Sequence, residues 1–204
     1  MTQALLALGC DPSLPDGWGF PPLVAAAAGN LENFESACVI LDLLLEAKAN
    51  PHSAVGSLTA LECAARGGNA AAVRRLAAGG ADATGGGAKY PPLYYGILSG
   101  DVETVTALLD GGAVARDVKF GDEQLTPLMC AAQVGDIYIG RLLLGHGAAA
   151  DEIGGEHMWT ALHEAATRGR DLFYKWLRTE VMADTTIRDS RGRLASEMKT
   201  PHQT

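Results

Sequence analysis

The sequence predicts an all-α solenoid, in which pairs of short helices stack into one row. Two observations favour this fold class. A similar segment recurs along the chain at intervals of 32 to 38 residues, with starts at Pro21, Thr59, Pro91, Thr126 and Thr160. Each segment has two stretches with helical spacing of apolar residues, and glycine closes most of these stretches. A period near 33 or 34 residues is typical of stacked helix-pair arrays.

The elements follow one order in each repeat. Thr or Pro, then Pro or Ala, then Leu open a short first helix that ends at Gly-Asp or Gly-Asn. A Leu-rich second helix follows and closes with Gly-Ala in most repeats. The predicted boundaries are 1–15 for a partial N-terminal repeat, 16–53, 54–86, 87–118, 119–153 and 154–188 for five full repeats, and 189–204 for a partial C-terminal repeat. Extra residues around "LENFESAC" predict an enlarged inter-helix region in repeat 1.

Two of the repeat starts carry a recognisable signature. "TALHEA" from Thr160 and "TPLMCA" from Thr126 resemble the T-P-L-H-x-A pattern of the ankyrin repeat, whereas the Trp and Tyr pattern of tetratricopeptide repeats is absent. The resemblance extends from about Leu5 to Met198 and implies an ankyrin-repeat solenoid. It implies helix-turn-helix pairs joined by projecting β-hairpins, here called fingers, and a concave face of finger tips and first helices that holds partner proteins. It also implies that His163 bonds to the backbone of the adjoining finger.

The stretch "GGADATGGGAKY" at 79–90 has the glycine content of a phosphate-binding loop but not its spacing. Lys89 follows Ala88 and precedes Tyr90, so the required Gly-Lys-Ser/Thr sequence is missing. Within a repeat array, Gly79 and Gly80 end a second helix, and 85–87 lie in the next hairpin, which we expect to be the softest of the stack.

Composition excludes several classes of function. The chain has 204 residues, is 48% hydrophobic and carries a net charge of -8, which predicts a folded domain that does not bind nucleic acid. No apolar run reaches the length needed for membrane insertion, and no targeting segment opens the chain, so we expect a cytoplasmic protein. Four scattered cysteines predict neither a disulfide framework nor a zinc site, and Cys63 and Cys130 are expected to be buried thiols.

No residues are arranged for catalysis. His146 and His157 have no ligand-spaced partners, and Ser190 and Ser196 lie outside a nucleophile elbow. The sequence therefore predicts no enzyme activity, no cofactor and no bound metal.

Binding is expected on the concave face. An apolar or aromatic residue precedes each repeat start, and two more lie close by; this set is Phe20, Leu58, Tyr90, Leu125 and Trp159, with Trp18 and Met158. Exposed aromatic rows of this kind mark protein interfaces. The first helices add further candidates, namely Arg66, Tyr94, Tyr95, Gln133 and Arg168. Two alternatives stay open: each apolar residue can pack on the neighbouring finger, and the arginines can be solvated or bond to helix-end carbonyls.

The sequence thus predicts a non-enzymatic scaffold that binds a protein of unknown identity. The partial N-terminal repeat leaves Leu5, Leu6 and Leu8 without a covering helix. This end can be a fragment boundary, a contact with another subunit, or a tolerated frayed half-repeat. Two alternative functions remain: a permanent accessory subunit of a large assembly, or the ankyrin part of a longer adaptor or of a protein that recruits substrates to a ubiquitin ligase.

Overall fold

The computed structural model of the chain describes residues 9–28 and 34–198. Ten α-helices lie within these ranges, followed by a 3-10 helix at Ala195–Met198. In chain order they are α1 Pro22–Ala27, α2 Phe34–Glu46, α3 Ala60–Arg66, α4 Ala70–Ala78, α5 Pro92–Ser99, α6 Val102–Asp110, α7 Pro127–Val134, α8 Ile137–Gly145, α9 Ala161–Thr167 and α10 Asp171–Thr179. The helix α2 has 13 residues, whereas α4, α6, α8 and α10 have 9 each. None of the helices in these ranges has the length and apolar character needed to cross a membrane.

The helices form two adjacent rows, as predicted for an all-α solenoid. The first helices α1, α3, α5, α7 and α9 pack successively on one another, and the second helices α2, α4, α6 and α8 form the other row. The leucine that follows the opening Thr-Pro or Pro-Pro type pair is at most 2% exposed in every repeat; these residues are Leu23, Leu61, Leu93, Leu128 and Leu162. Each such burial contributes about 1.5 to 3 kcal/mol, so this column of leucines holds the first helices together.

Short polar residues begin most of the helices. The Thr59 and Thr126 hydroxyls accept the N–H groups of residues three positions later, at 3.2 Å in both helices. At the second helices the side chains of Asn69, Asp101 and Asp136 do the same. These contacts explain why Gly-Asp and Gly-Asn recur between the helices, because the acidic or amide side chain satisfies an N–H that the helix itself leaves free.

In each repeat, the second helix is followed by a residue in the left-handed conformation. Gly80 has this conformation, with φ 93°, as the glycine pattern predicts. The equivalent residues in the other repeats are Lys48, Gly112, Gly147 and Met182. The alanine that follows each of them donates its N–H back to a leucine carbonyl of the helix, at 2.9 to 3.0 Å. Repeat 5 lacks Gly-Ala and closes one residue later: Met182 takes the left-handed conformation, and the bond from Ala183 to Leu177 spans six residues instead of five.

The fingers differ in their turns. Ala54–Val55 pairs with Leu58–Thr59 in an antiparallel two-residue hairpin, while the fingers of repeats 4 and 5 close through the isolated bridges Phe120–Leu125 and Gly154–Trp159. The sequence predicts a β-hairpin at 85–87, but this prediction is wrong. The structure describes residues 81–90, and none of them pairs with a strand. The three glycines at 85–87 have φ of 80°, 54° and 82°, and such left-handed residues cannot continue a strand. The predicted subunit contact at Leu5, Leu6 and Leu8 lies outside the described residues.

Candidate functional site

The predicted finger residues have unequal exposure. Trp18 is 87% exposed, and Phe20 and Met158 are 42% and 48% exposed. Leu58, Tyr90 and Trp159 are half-buried. Leu125 is buried, so the exposed row that the sequence suggested is interrupted at this position. Leu125 forms a bridge with Phe120, and both side chains are buried. The apolar residues of this finger therefore belong to the core.

A cleft of about 410 Å³ opens between the fingers of repeats 4 and 5 and the helices α7 and α9. We call it the acidic cleft. Its lining residues are Asp122, Glu123, Leu125, Met129, Gln133, Gly154, Gly155, Glu156, His157, Trp159, Glu164 and Arg168. Four carboxylates and one guanidinium therefore face a space with a partly apolar floor.

Two of the four carboxylates are neutralised within the chain. Asp122 forms an ion pair with Lys89 of the preceding finger. The Glu164 side chain is 2% exposed and accepts a hydrogen bond from Arg168 Nε at 2.9 Å. Because a buried carboxylate is costly without a partner, this pair fixes the guanidinium at the end of α9 and leaves it poorly placed to neutralise other groups.

Glu123 and Glu156 are exposed and form no ion pair in the part of the chain that the structure describes. Burial is the main cause that raises the pKa of the Tyr94 hydroxyl and of the Cys130 thiol, and the charge of Glu123 contributes to both increases. The field of Glu123 thus reaches groups in two neighbouring first helices.

Trp159 forms an aromatic wall of the acidic cleft. Its ring lies 5.2 Å from the ring of His157, centroid to centroid. Its backbone is held by both hydrogen bonds of the bridge to Gly154, at 2.8 and 3.0 Å. The indole Nε1 is buried and has no hydrogen-bond partner among the described residues. A buried donor without an acceptor is rare in folded proteins, which makes this wall unusual.

A second cleft of about 490 Å³ lies beside the first, and we call it the tyrosine cleft. Its lining residues are Arg66, Tyr90, Tyr94, Tyr95, Leu98 and Ser99. The Tyr94 ring lies 4.7 Å from Tyr90 and 5.4 Å from Tyr95. A Cβ atom placed on Gly121 would lie 2.5 Å from the Tyr90 ring, so Tyr90 packs directly on the finger that borders the acidic cleft. The two clefts are therefore neighbours along the same face.

The structure brings eight of the predicted residues together in two groups. Leu125, Gln133, Trp159 and Arg168 line the acidic cleft, and Arg66, Tyr90, Tyr94 and Tyr95 line the tyrosine cleft. Neither cleft includes the remaining four, Trp18, Phe20, Leu58 and Met158. Sequence reasoning missed the carboxylates Asp122, Glu123, Glu156 and Glu164. A comparison of finger positions could have found two of them, since Asp122 and Glu156 stand at the same distance before Thr126 and Thr160.

His163 has the structural role that the resemblance implied. Its Nδ1 accepts the N–H of Thr160 at 3.3 Å, and its Nε2 lies 3.4 Å from the Arg193 carbonyl oxygen of the next finger. Burial lowers the pKa of this imidazole, which keeps it neutral. No group of three or more potential metal ligands occurs among the residues that the structure describes.

Comparisons with known proteins agree with this architecture. The family model for three copies of the ankyrin repeat matches residues 93–189. The ankyrin repeat domain of human ASB11 is 25% identical, with a TM-score of 0.81 over 98% of this chain and 86% of that one. The ankyrin repeat domain of Bcl-3 is 20% identical, with a TM-score of 0.76 over 99% of this chain and 87% of that one, and shares the fold. A search of curated proteins finds no match. Five stacked helix pairs, their T-P-L-type starts and these likenesses together identify the chain as an ankyrin repeat protein.

Proposed function

We propose that the chain is a non-enzymatic protein-binding scaffold that holds an extended segment of a partner along its fingers and first helices. The observation that carries this proposal is the pair of neighbouring clefts with aromatic walls, one built around Trp159 and the other around Tyr90. Ankyrin repeat domains generally serve as protein interaction modules, and aromatic residues are the commonest anchors of such interfaces.

The aromatic rings are held in place before any partner arrives. Tyr94 lies between Tyr90, Tyr95 and Phe120, with ring centroids at 4.7, 5.4 and 5.8 Å. Side chains fixed in this way lose little rotamer freedom on binding, whereas free surface side chains lose about 0.5 to 1.5 kcal/mol each. A preorganised surface of this kind favours recognition without a large rearrangement of the scaffold.

The test uses peptides selected on the full chain from a random phage-displayed library of segments about 12 residues long, enough to span roughly 40 Å when extended. Their affinities are measured by titration calorimetry. We expect the double variant Tyr90→Ala with Trp159→Ala to weaken binding by at least about tenfold for each lost anchor, with unchanged helical circular dichroism.

A matched control removes apolar surface outside the clefts. Tyr138 and Leu172 lie near the starts of second helices and are 71% and 76% exposed. The double variant Tyr138→Ala with Leu172→Ala should bind the selected peptides as the unmodified chain does. Equal affinities for the cleft variant and the unmodified chain would overturn the proposal.

A second candidate is a permanent subunit contact at the N-terminal end. Leu14 and Trp18 support it, because they are 66% and 87% exposed near that end of the stack. An obligate subunit should self-associate when purified alone, and replacement of both residues by serine should then restore a monomer in sedimentation velocity. A monomeric unmodified chain would argue against this alternative.

A further inference from the structure

The acidic cleft carries negative charge that the chain leaves uncompensated. Lys89 neutralises Asp122 and Arg168 neutralises Glu164, but Glu123 and Glu156 have no such partner among the described residues. They belong to the fingers of adjacent repeats and border the same space. A segment that enters this cleft therefore meets two free carboxylates at its rim.

The cleft also has surfaces that suit the stem of a long cationic side chain. Leu125 and Met129 form apolar floor, and Trp159 supplies an aromatic wall. Lysine and arginine bury their methylene stems on apolar surface while the charged end stays at a polar rim, and their cations are attracted to indole faces. The chain already shows this combination nearby, where Lys89 pairs with Asp122 and its Nζ lies 5.6 Å from the centre of the Tyr90 ring.

We infer that the occupant of the acidic cleft is a Lys or Arg side chain from an extended protein segment, with its charge between Glu123 and Glu156 and its stem against Trp159. This inference rests on the proposed function and names the chemistry of the partner. The lining of the tyrosine cleft contains Arg66 and no carboxylate, so the basic residue of the segment is expected at the acidic cleft and not at the tyrosine cleft.

The selected peptides provide the test. We expect them to be enriched in Lys or Arg at one position. Replacement of that residue by Gln should weaken binding by about tenfold, as expected for one cation that pairs with two exposed carboxylates. The double variant Glu123→Gln with Glu156→Gln should cause a similar loss. Combining the peptide and protein changes should add little further loss, since both remove the same interaction.

A control variant separates this site from attraction by net charge. Glu46 ends α2 and Glu103 lies in the first turn of α6, both exposed on second helices. The double variant Glu46→Gln with Glu103→Gln changes net charge by the same amount and should alter affinity by less than about twofold, because salt screens distant charges. An equal loss in this control would overturn the inference.

The outcomes also distinguish the inference from the proposed function. Neutral or acidic peptides that depend on Tyr90 and Trp159 but not on Glu123 and Glu156 would overturn the inference and leave the proposed function intact. Peptides that bind without regard to Tyr90 and Trp159 would overturn both. Self-association of the free chain that disappears in the variant Glu123→Gln with Glu156→Gln would identify a second copy as the occupant and would also overturn the inference.

Discussion

Gly140 in α8 lies directly against two aromatic rings of α10, the last of the second helices. A Cβ atom at this position would lie 2.7 Å from Trp176 Cζ3 and 3.1 Å from Phe173 Cε2. Both rings belong to α10 and are buried, at 4% and 0% exposure, so neither can move into solvent. We therefore predict that Gly140→Ala destabilises the protein, although alanine is the better helix former.

Two opposing effects give the magnitude. Replacing glycine by alanine inside a helix usually stabilises by about 0.5 to 1 kcal/mol. Forcing one extra carbon into a well-packed core costs about 1 to 3 kcal/mol. The net expectation is a loss of about 1 kcal/mol, which corresponds to a decrease in Tm of about 2 to 4 °C in a chain of this size.

Gly145 in the same helix is the matched control. A Cβ atom there would meet nothing within 4 Å, and its φ is not positive. Gly145→Ala should therefore stabilise by about 0.5 kcal/mol through helix propensity alone. Urea denaturation followed by circular dichroism measures both variants against the unmodified chain. A Gly140→Ala variant at least as stable as Gly145→Ala would refute the packing argument.

Two further predictions concern the turns and pH. Gly85→Ala should lower the free energy of unfolding, measured by urea denaturation, more than Gly87→Ala does. Both glycines have positive φ, which costs alanine about 1 to 2 kcal/mol, but only at Gly85 would the added Cβ also lie 2.7 Å from Pro91. Equal losses of stability in the two variants would contradict this prediction. Because burial lowers the folded pKa of His163, its protonation favours the unfolded chain, so the free energy of unfolding should fall as pH drops below about 6.5. His163→Gln, which keeps an acceptor for the Thr160 N–H, should reduce this pH dependence in urea midpoints between about pH 7 and pH 5, and an unchanged slope would count against the linkage.

The repeat architecture was predictable because its determinants are local. Thr59 and Thr126 cap helices, and Gly80 takes a left-handed φ, through interactions within a few residues. The same local chemistry recurs in each repeat, so the period appears directly in the sequence. The left-handed residue after the second helix is present even where the sequence has no glycine, because Met182 takes this conformation in repeat 5.

The exposure of finger residues was not predictable in the same way. Leu58 is half-buried in a hairpin with a two-residue turn, whereas Leu125 is buried behind a four-residue turn that begins at Gly121. The equivalent residue therefore changes environment with the turn and with the neighbouring finger, and the latter contact is distant in sequence. The carboxylates of the acidic cleft were missed for a related reason, since Glu123 and Glu156 become neighbours only when repeats stack.

The residue after the T-P-L-type start shows how the fold separates stability from binding. In repeats 2 and 5 this position holds Glu62 and His163, and both accept the N–H of the capping threonine. In repeats 3 and 4 it holds Tyr94 and Met129, which instead line the tyrosine and acidic clefts. The buried leucine column already stabilises the first helices in every repeat, so this position is free to change its role. It makes a hydrogen bond to the capping threonine in repeats 2 and 5, and it lines one of the two proposed binding clefts in repeats 3 and 4.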